Sequence, residues 1–157
     1  MNVGLSALFL TLLLSNSQAQ QLTQAHGAYF LSVSSGGVTI AQHPTLDQQP
    51  LFSIGCDRAG LLIIVLRVST NDDALNLSCA SGWRAYLPGL PHKDMLIASA
   101  SSSSNNRSAI FRALDELKSS KCAFDLGKGK QYELPSDGLQ QGIAAMEAAC
   151  AAQGRLQ

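Results

Sequence analysis

Hydrophobic and polar residues alternate along much of the first hundred positions of this chain and recur at helical spacing only towards its end. Tyr29, Leu31 and Val33 alternate with Phe30, Ser32 and Ser34, and Gly36-Gly37 breaks the run before Val38-Thr39-Ile40, the grammar of a β-hairpin. Gln42 to Pro50, punctuated by Pro44 and Pro50, reads as a loop. Leu51 to Cys56 alternates again and puts Phe52, Ile54 and Cys56 on one side. After the Asp57-Arg58-Ala59-Gly60 turn, Leu61 to Val68 is apolar at every position but Arg67 and rich in branched residues. Such a run predicts a central strand covered on both faces. Asn71-Asp72-Asp73 then turns the chain into a strand with Leu75, Leu77 and Cys79 on one face.

Ser81 to Pro91 contains Gly82, Pro88, Gly89 and Pro91, so it reads as irregular structure around Trp83 and Tyr86. Met95 to Ala100 reads as a short strand and Ser101 to Asn106 as a polar loop. Ser108 is placed to cap a helix in which Ile110, Phe111, Leu114 and Leu117 face the core and Arg112, Asp115 and Lys118 face outward. Cys122, Phe124 and Leu126 return to alternation, and Gly127-Lys128-Gly129-Lys130 predicts a hairpin turn into Gln131 to Leu134. Pro135-Ser136-Asp137 opens a last helix whose Leu139, Ile143, Met146 and Cys150 form a single stripe, with Gly154 as its stop signal. The pattern describes one α+β domain: a mainly antiparallel β-sheet, sandwich-like, with two helices in the C-terminal half.

Ahead of this domain, Leu5 to Leu14 is a run of roughly ten mostly apolar residues, too short for a membrane span of ~20 and suited to the core of a secretory signal peptide. Ser17-Gln18-Ala19 offers small residues where a signal peptidase reads, so residues 1–19 are expected to be a leader and 20–157 a single exported domain. No Lys or Arg precedes the apolar run. No Cys follows it closely, which argues against a lipid anchor. The destination is then periplasmic or secreted, with no stable membrane anchor.

Composition removes several function classes. The 157 residues carry 11 Lys and Arg against 11 Asp and Glu, a net charge of zero, so the cationic surplus that nucleic acid or an anionic membrane surface demands is missing. Cys56, Cys79, Cys122 and Cys150 contain no Cys-x-x-Cys pair, and His26, His43 and His92 are scattered, so neither a metal nor a cofactor is expected. An even cysteine count in an exported chain points to disulfides, and each cysteine lies in phase with apolar neighbours. Three connectivities remain open on this reading.

The Gly127 to Lys130 run lacks the frame of a phosphate-binding loop, and no Gly-x-Ser-x-Gly elbow is present. Asp72-Asp73 and Asp115-Glu116 are read as solvated surface carboxylates. No catalytic residue is assigned. Trp83, Tyr86, Leu87 and Leu90 form the candidate surface for a protein partner, since aromatics in a Pro- and Gly-rich segment can anchor one.

Pro50-Leu51-Phe52-Ser53-Ile54-Gly55-Cys56 followed by a turn and the strand Leu61 to Val68 resembles the periplasmic type VI secretion-associated proteins of the TagO/VasI kind. The closing region, with a helix over Ile110 to Leu117, a strand pair from Ala123 to Leu134, Asp137-Gly138-Leu139 and a helix ending Glu147-Ala148-Ala149-Cys150, resembles the same family. It is also similar to invasion-associated locus B proteins. The resemblance implies a Cys56–Cys150 disulfide, which leaves Cys79 for Cys122. It also implies an exported, non-catalytic accessory protein of a bacterial secretion system or cell envelope. The alternative is a periplasmic immunity or inhibitor protein that blocks a secreted hydrolase through the Trp83 or the Ser101 to Asn106 segment.

Overall fold

The computed structural model describes residues 22–43, 51–67, 73–100 and 104–154; the expected leader lies outside them. The elements are β1 (Leu22–His26), β2 (Tyr29–Ser34), β3 (Gly37–Gln42), β4 (Phe52–Asp57), β5 (Leu62–Arg67), β6 (Ala74–Cys79), β7 (Arg84–His92), β8 (Met95–Ser99), α1 (Ser104–Ser119), β9 (Cys122–Asp125), β10 (Gln131–Glu133) and α2 (Leu139–Ala152). The ten strands form one sheet in the order β1-β2-β3-β4-β5-β8-β7-β6-β9-β10, antiparallel at every pairing.

The sheet curls until its two ends meet across the core. Phe52 of β4 lies 5.8 Å, centroid to centroid, from Phe124 of β9, and Tyr29 of β2 stands edge-on to Phe52 at 6.4 Å. The Tyr132 hydroxyl of β10 donates to Gln42 Oε1 of β3. Burial pushes the phenols of Tyr29 and Tyr132 above their ordinary range, and for Tyr29 the neighbouring Tyr132 adds to the rise, so both stay neutral donors. The expected α+β class, sandwich-like with two late helices, is the one observed.

The inward positions are those the alternation picked out: Leu31, Val38, Ile40, Phe52, Ile54, Cys56, Leu75, Leu77, Cys79, Cys122 and Phe124 are all buried. The stripe of α2 is likewise buried along Leu139, Ile143, Met146 and Cys150, and the helix packs on β2 and β3 while α1 packs on β7. Gly142 allows the close approach, because a Cβ there would sit 2.4 Å from Ile40 Cδ1. At its start α2 docks by backbone. Gly138 takes φ 79°, and a Cβ on it would fall 1.9 Å from the His26 carbonyl oxygen. Ala28 N donates to the Asp137 carbonyl at 3.0 Å, and Tyr29 Oη donates to the Pro135 carbonyl at 2.8 Å.

Two disulfides close the fold, Cys56–Cys150 and Cys79–Cys122, and no cysteine is free. The first ties β4 to α2, a separation of 94 residues. The second joins residues directly opposite on β6 and β9. Ala80 N donates to the Lys121 carbonyl beside it, which makes this a non-hydrogen-bonded pair, the type in which strands approach most closely; the Cα atoms are 4.0 Å apart. Such covalent chemistry belongs to a non-cytoplasmic protein. No helix among the described residues is long and apolar enough to cross a membrane.

Four sequence expectations are corrected. Arg84–His92, read as irregular, is the longest strand. It pairs with β6 along Arg84 to Pro88 and with β8 along Gly89 to His92. Gly89 N points to the β6 side, donating to Asp73 O, so by alternation the nitrogen of Pro88 faces the β8 side before that pairing begins, and that of Pro91 faces the β6 side after it has ended. Neither proline costs the ladder a bond. Helix α1 begins at Ser104, a turn before Ser108, so the last three residues of the expected Ser101 to Asn106 loop are helical, the first three lying outside the described residues, and Asn106 Nδ2 donates to the Ser99 carbonyl at 2.8 Å. Strand β5 is central, but helices lie on its inner side alone among the described residues, and Ile63 and Val65 are half-exposed on the other. Finally, Glu116 is buried rather than solvated.

Candidate functional site

The four residues proposed as a partner surface separate. Leu87 points inward from β7 and is fully buried, so it is core and cannot meet a partner. Trp83 is half-buried against the core at the β6–β7 turn. Tyr86 and Leu90, two alternations apart on the outer side of β7, are 57% and 76% exposed. The outer sheet face on which they lie is the candidate site.

Register places its side chains. Ala25, Phe30, Ala41, Ser53, Val65, Ile97 and Leu90 stand directly opposite one another across the seven adjacent strands from β1 to β7. Six of the seven are apolar, so a hydrophobic belt, broken at Ser53 and sunk at buried Ala41, crosses the face turned away from the helices and ends at Leu90, which is 76% exposed. Beside it runs a row of mostly small side chains, Thr23, Ser32, Thr39, Gly55, Ile63 and Ser99. The step between the two rows forms a shallow cavity of about 460 Å³ lined by Phe30, Thr39, Gly55, Ile63 and Val65, among others. Directly opposed side chains are ~5 Å apart, close enough for neighbours in the row to touch.

Compared with known proteins, the chain matches no family model, no curated sequence and no solved structure.

Beyond β7 the outer face changes character. Tyr86, Asn76, Asp125 and Gln131 form one cross-strand row, and Arg84, Ser78, Ala123 and Glu133 the next. Between them lies a depression of about 410 Å³. Tyr86 Oη donates to Asp73 Oδ1 at 2.8 Å, which orients the ring. Asp125 Oδ1 accepts from Gly127 N at 2.8 Å.

The turn that carries Trp83 is held from α1. Ser81 Oγ donates to Glu116 Oε2 at 2.6 Å, and Arg112 donates to Glu116 Oε1 from Nε at 3.1 Å and from Nη2 at 2.9 Å. The Ser81 hydrogen bond, followed by the Arg112 pair, holds the Glu116 carboxyl below its usual range against the opposing effect of burial. Ser81 Oγ in turn accepts from Trp83 N at 3.3 Å, so the carboxylate positions the turn. Nearby, Lys118 bridges Glu147 of α2 at 3.0 Å and Asp115 at 3.1 Å. Among the described residues no group of three or more His, Cys, Asp or Glu is arranged to hold a metal ion.

Sequence reasoning found Tyr86 and Leu90 but not the surface they belong to. Phe30, Ala41, Val65 and Ile97 are visible as apolar residues on the wrong phase of their strands, and that off-phase excess is the signal. Only the strand order turns it into a belt.

Proposed function

We propose that this chain is an exported, non-catalytic binding protein that serves a bacterial secretion system or cell-envelope process and meets its protein partner through the hydrophobic belt of the outer sheet face. The observation that carries the reading is the belt itself: six apolar side chains aligned across seven strands and ending at exposed Leu90. An apolar row of this kind, on a face that alternation normally leaves polar and ending at a large exposed side chain, marks a site that a partner covers. The resemblance to type VI secretion-associated periplasmic proteins supports the same reading, since the cysteine pairing it implies is the pairing observed.

The test is affinity capture from the envelope fraction of the source cells with tagged full-length protein, followed by mass spectrometry and a binding titration. Leu90→Asp puts a charge on the belt at a position 76% exposed, and circular dichroism checks that the fold is kept. Capture of one protein should weaken at least about tenfold. Unchanged capture by Leu90→Asp defeats the belt as the contact. A captured hydrolase that loses its activity one-to-one on binding assigns the immunity role instead.

A further inference from the structure

We infer that the polar half of the outer face, beyond β7, is a binding site for a neutral, hydroxyl-rich oligosaccharide. The site goes beyond the protein contact proposed above and shares no belt residue with it. Four adjacent strands, β7, β6, β9 and β10, each present one side chain in register: Tyr86, Asn76, Asp125 and Gln131. With strands ~4.8 Å apart, the row extends for about 14 Å. The neighbouring row has small Ser78 and Ala123 at its centre, which sinks the surface between Arg84 at one end and Glu133 at the other. The depression of about 410 Å³ adjoins another of about 480 Å³ that shares Ser78, a size within the ~300 to 1,000 Å³ of ligand sites.

The chemistry of the lining selects the ligand. An amide, a carboxylate and a second amide offer both donors and acceptors along one line, which suits a ligand carrying alternating hydroxyls that both donate and accept. Asp125 is exposed, and only one of its carboxylate oxygens is taken by Gly127 N. Tyr86 adds an aromatic face, 57% exposed and anchored through its hydroxyl to Asp73, on which the C–H face of a sugar ring can stack. An apolar ligand would leave these polar groups without partners, and the opposite signs of Arg84 with Asp125 and of Lys121 with Glu133 leave the lining no net charge to favour an ionic one. A peptide adding a strand would take the open edge of β10, at the end of the row, and not the depression over β6 and β9, which are paired on both sides.

The experiment is an amide NMR titration of the oxidised full domain with soluble neutral tetrasaccharides of glucose and of N-acetylglucosamine at up to millimolar concentration. At least one should shift resonances of β7, β6, β9 and β10, and Tyr86→Ala should weaken that binding about tenfold, the loss of one aromatic contact. Asp125→Asn, which keeps shape and alters one acceptor, should weaken it less, while Leu90→Asp should leave it unchanged. The site is overturned if no tetrasaccharide shifts these strands, if the shifts map elsewhere, or if Tyr86→Ala binds as the native protein does. Because Tyr86 is exposed and Leu90 is the variant for protein capture, failure of either site is read separately from the other.

Discussion

The two ends of the curled sheet are fastened to their helices by different physics. At the first end, β1 to β4 meet α2 through backbone contact and a covalent bond: Gly138 against the His26 carbonyl, Ala28 N on Asp137 O, Gly142 over Ile40 and Cys56–Cys150. At the second end, the β6–β7 turn meets α1 through a charge-assisted network centred on Glu116. The glycines repeat the contrast. Gly27, Gly55, Gly138 and Gly142 lie where a Cβ would collide with another element, whereas Gly82 and Gly129 have nothing within 4 Å. The outer faces differ too, with small and apolar rows over the first end and polar rows over the second. The first end should therefore respond to shape and covalent change, the second to pH.

The largest effect expected is on removing the disulfides. In the chain-entropy view, loops spanning 94 and 43 residues contribute about 5 and about 4 kcal/mol respectively. Cys56→Ala with Cys150→Ala should thus cost slightly more than Cys79→Ala with Cys122→Ala in urea unfolding. The sharper readout is where protection from hydrogen exchange is lost. The first pair of substitutions should open α2, because nothing else bonds its C-terminal end covalently to the sheet. The second should open β9 and β10 while leaving α2 closed, since Cys56–Cys150 and the packing of α2 on β2 and β3 remain. The same pattern of opening from both pairs would erase the distinction between the two ends.

Next in size is Gly138→Ala. The positive φ costs ~1 to 2 kcal/mol for any L side chain, and the approach to His26 O involves backbone that cannot yield locally. We expect about 3 kcal/mol in all. Gly129→Ala at φ 74° in the β9–β10 turn meets no atom and should cost only about 1 kcal/mol. Equal losses at the two positions would show that the docking of α2 on the β1–β2 turn contributes nothing beyond dihedral strain.

These contrasts also explain what the sequence could reveal. Strand alternation at Phe52, Ile54 and Cys56 and the stripe Leu139, Ile143, Met146 and Cys150 are local periodicities, and each face they define is the buried one. The Gly127 to Lys130 turn was legible for the same reason, with positive φ at Gly127, Lys128 and Gly129. Strand β7 was not, because its prolines are tolerated only through a change of partner midway, a property of topology and not of the segment. The Glu116 network was hidden because Ser81 lies 35 positions away, and nothing in Asp115-Glu116 says which carboxylate turns inward. The belt and the polar row were half-visible as residue types, but their alignment needed the strand order.

The smallest and most selective effect concerns pH. The Glu116 carboxyl is held below its ordinary value of 4.5 in the folded chain by the Ser81 hydroxyl and then by Arg112. A carboxyl whose folded value is depressed contributes stability that is fully present above its unfolded value and is lost as pH falls through the folded one. The β6–β7 turn should accordingly loosen in acid, below about pH 4.5, and Trp83, whose backbone hangs on Ser81, is the reporter. Glu116→Gln keeps the shape and removes the proton-linked part, so its acid limb of stability should be flatter than that of the native chain, with lower stability at neutral pH. Lys118 provides the opposite sign: burial pulls its ammonium down, but the hydrogen bonds to Glu147 and Asp115 outweigh it and raise the folded value above 10.5. That contribution is present below the unfolded value and fades only as pH rises through the folded one. Tryptophan fluorescence against pH separates the two. If the Glu116→Gln curve follows the native one through the acid range, the turn is not held by the carboxylate, and the second end of the sheet is fastened by packing like the first.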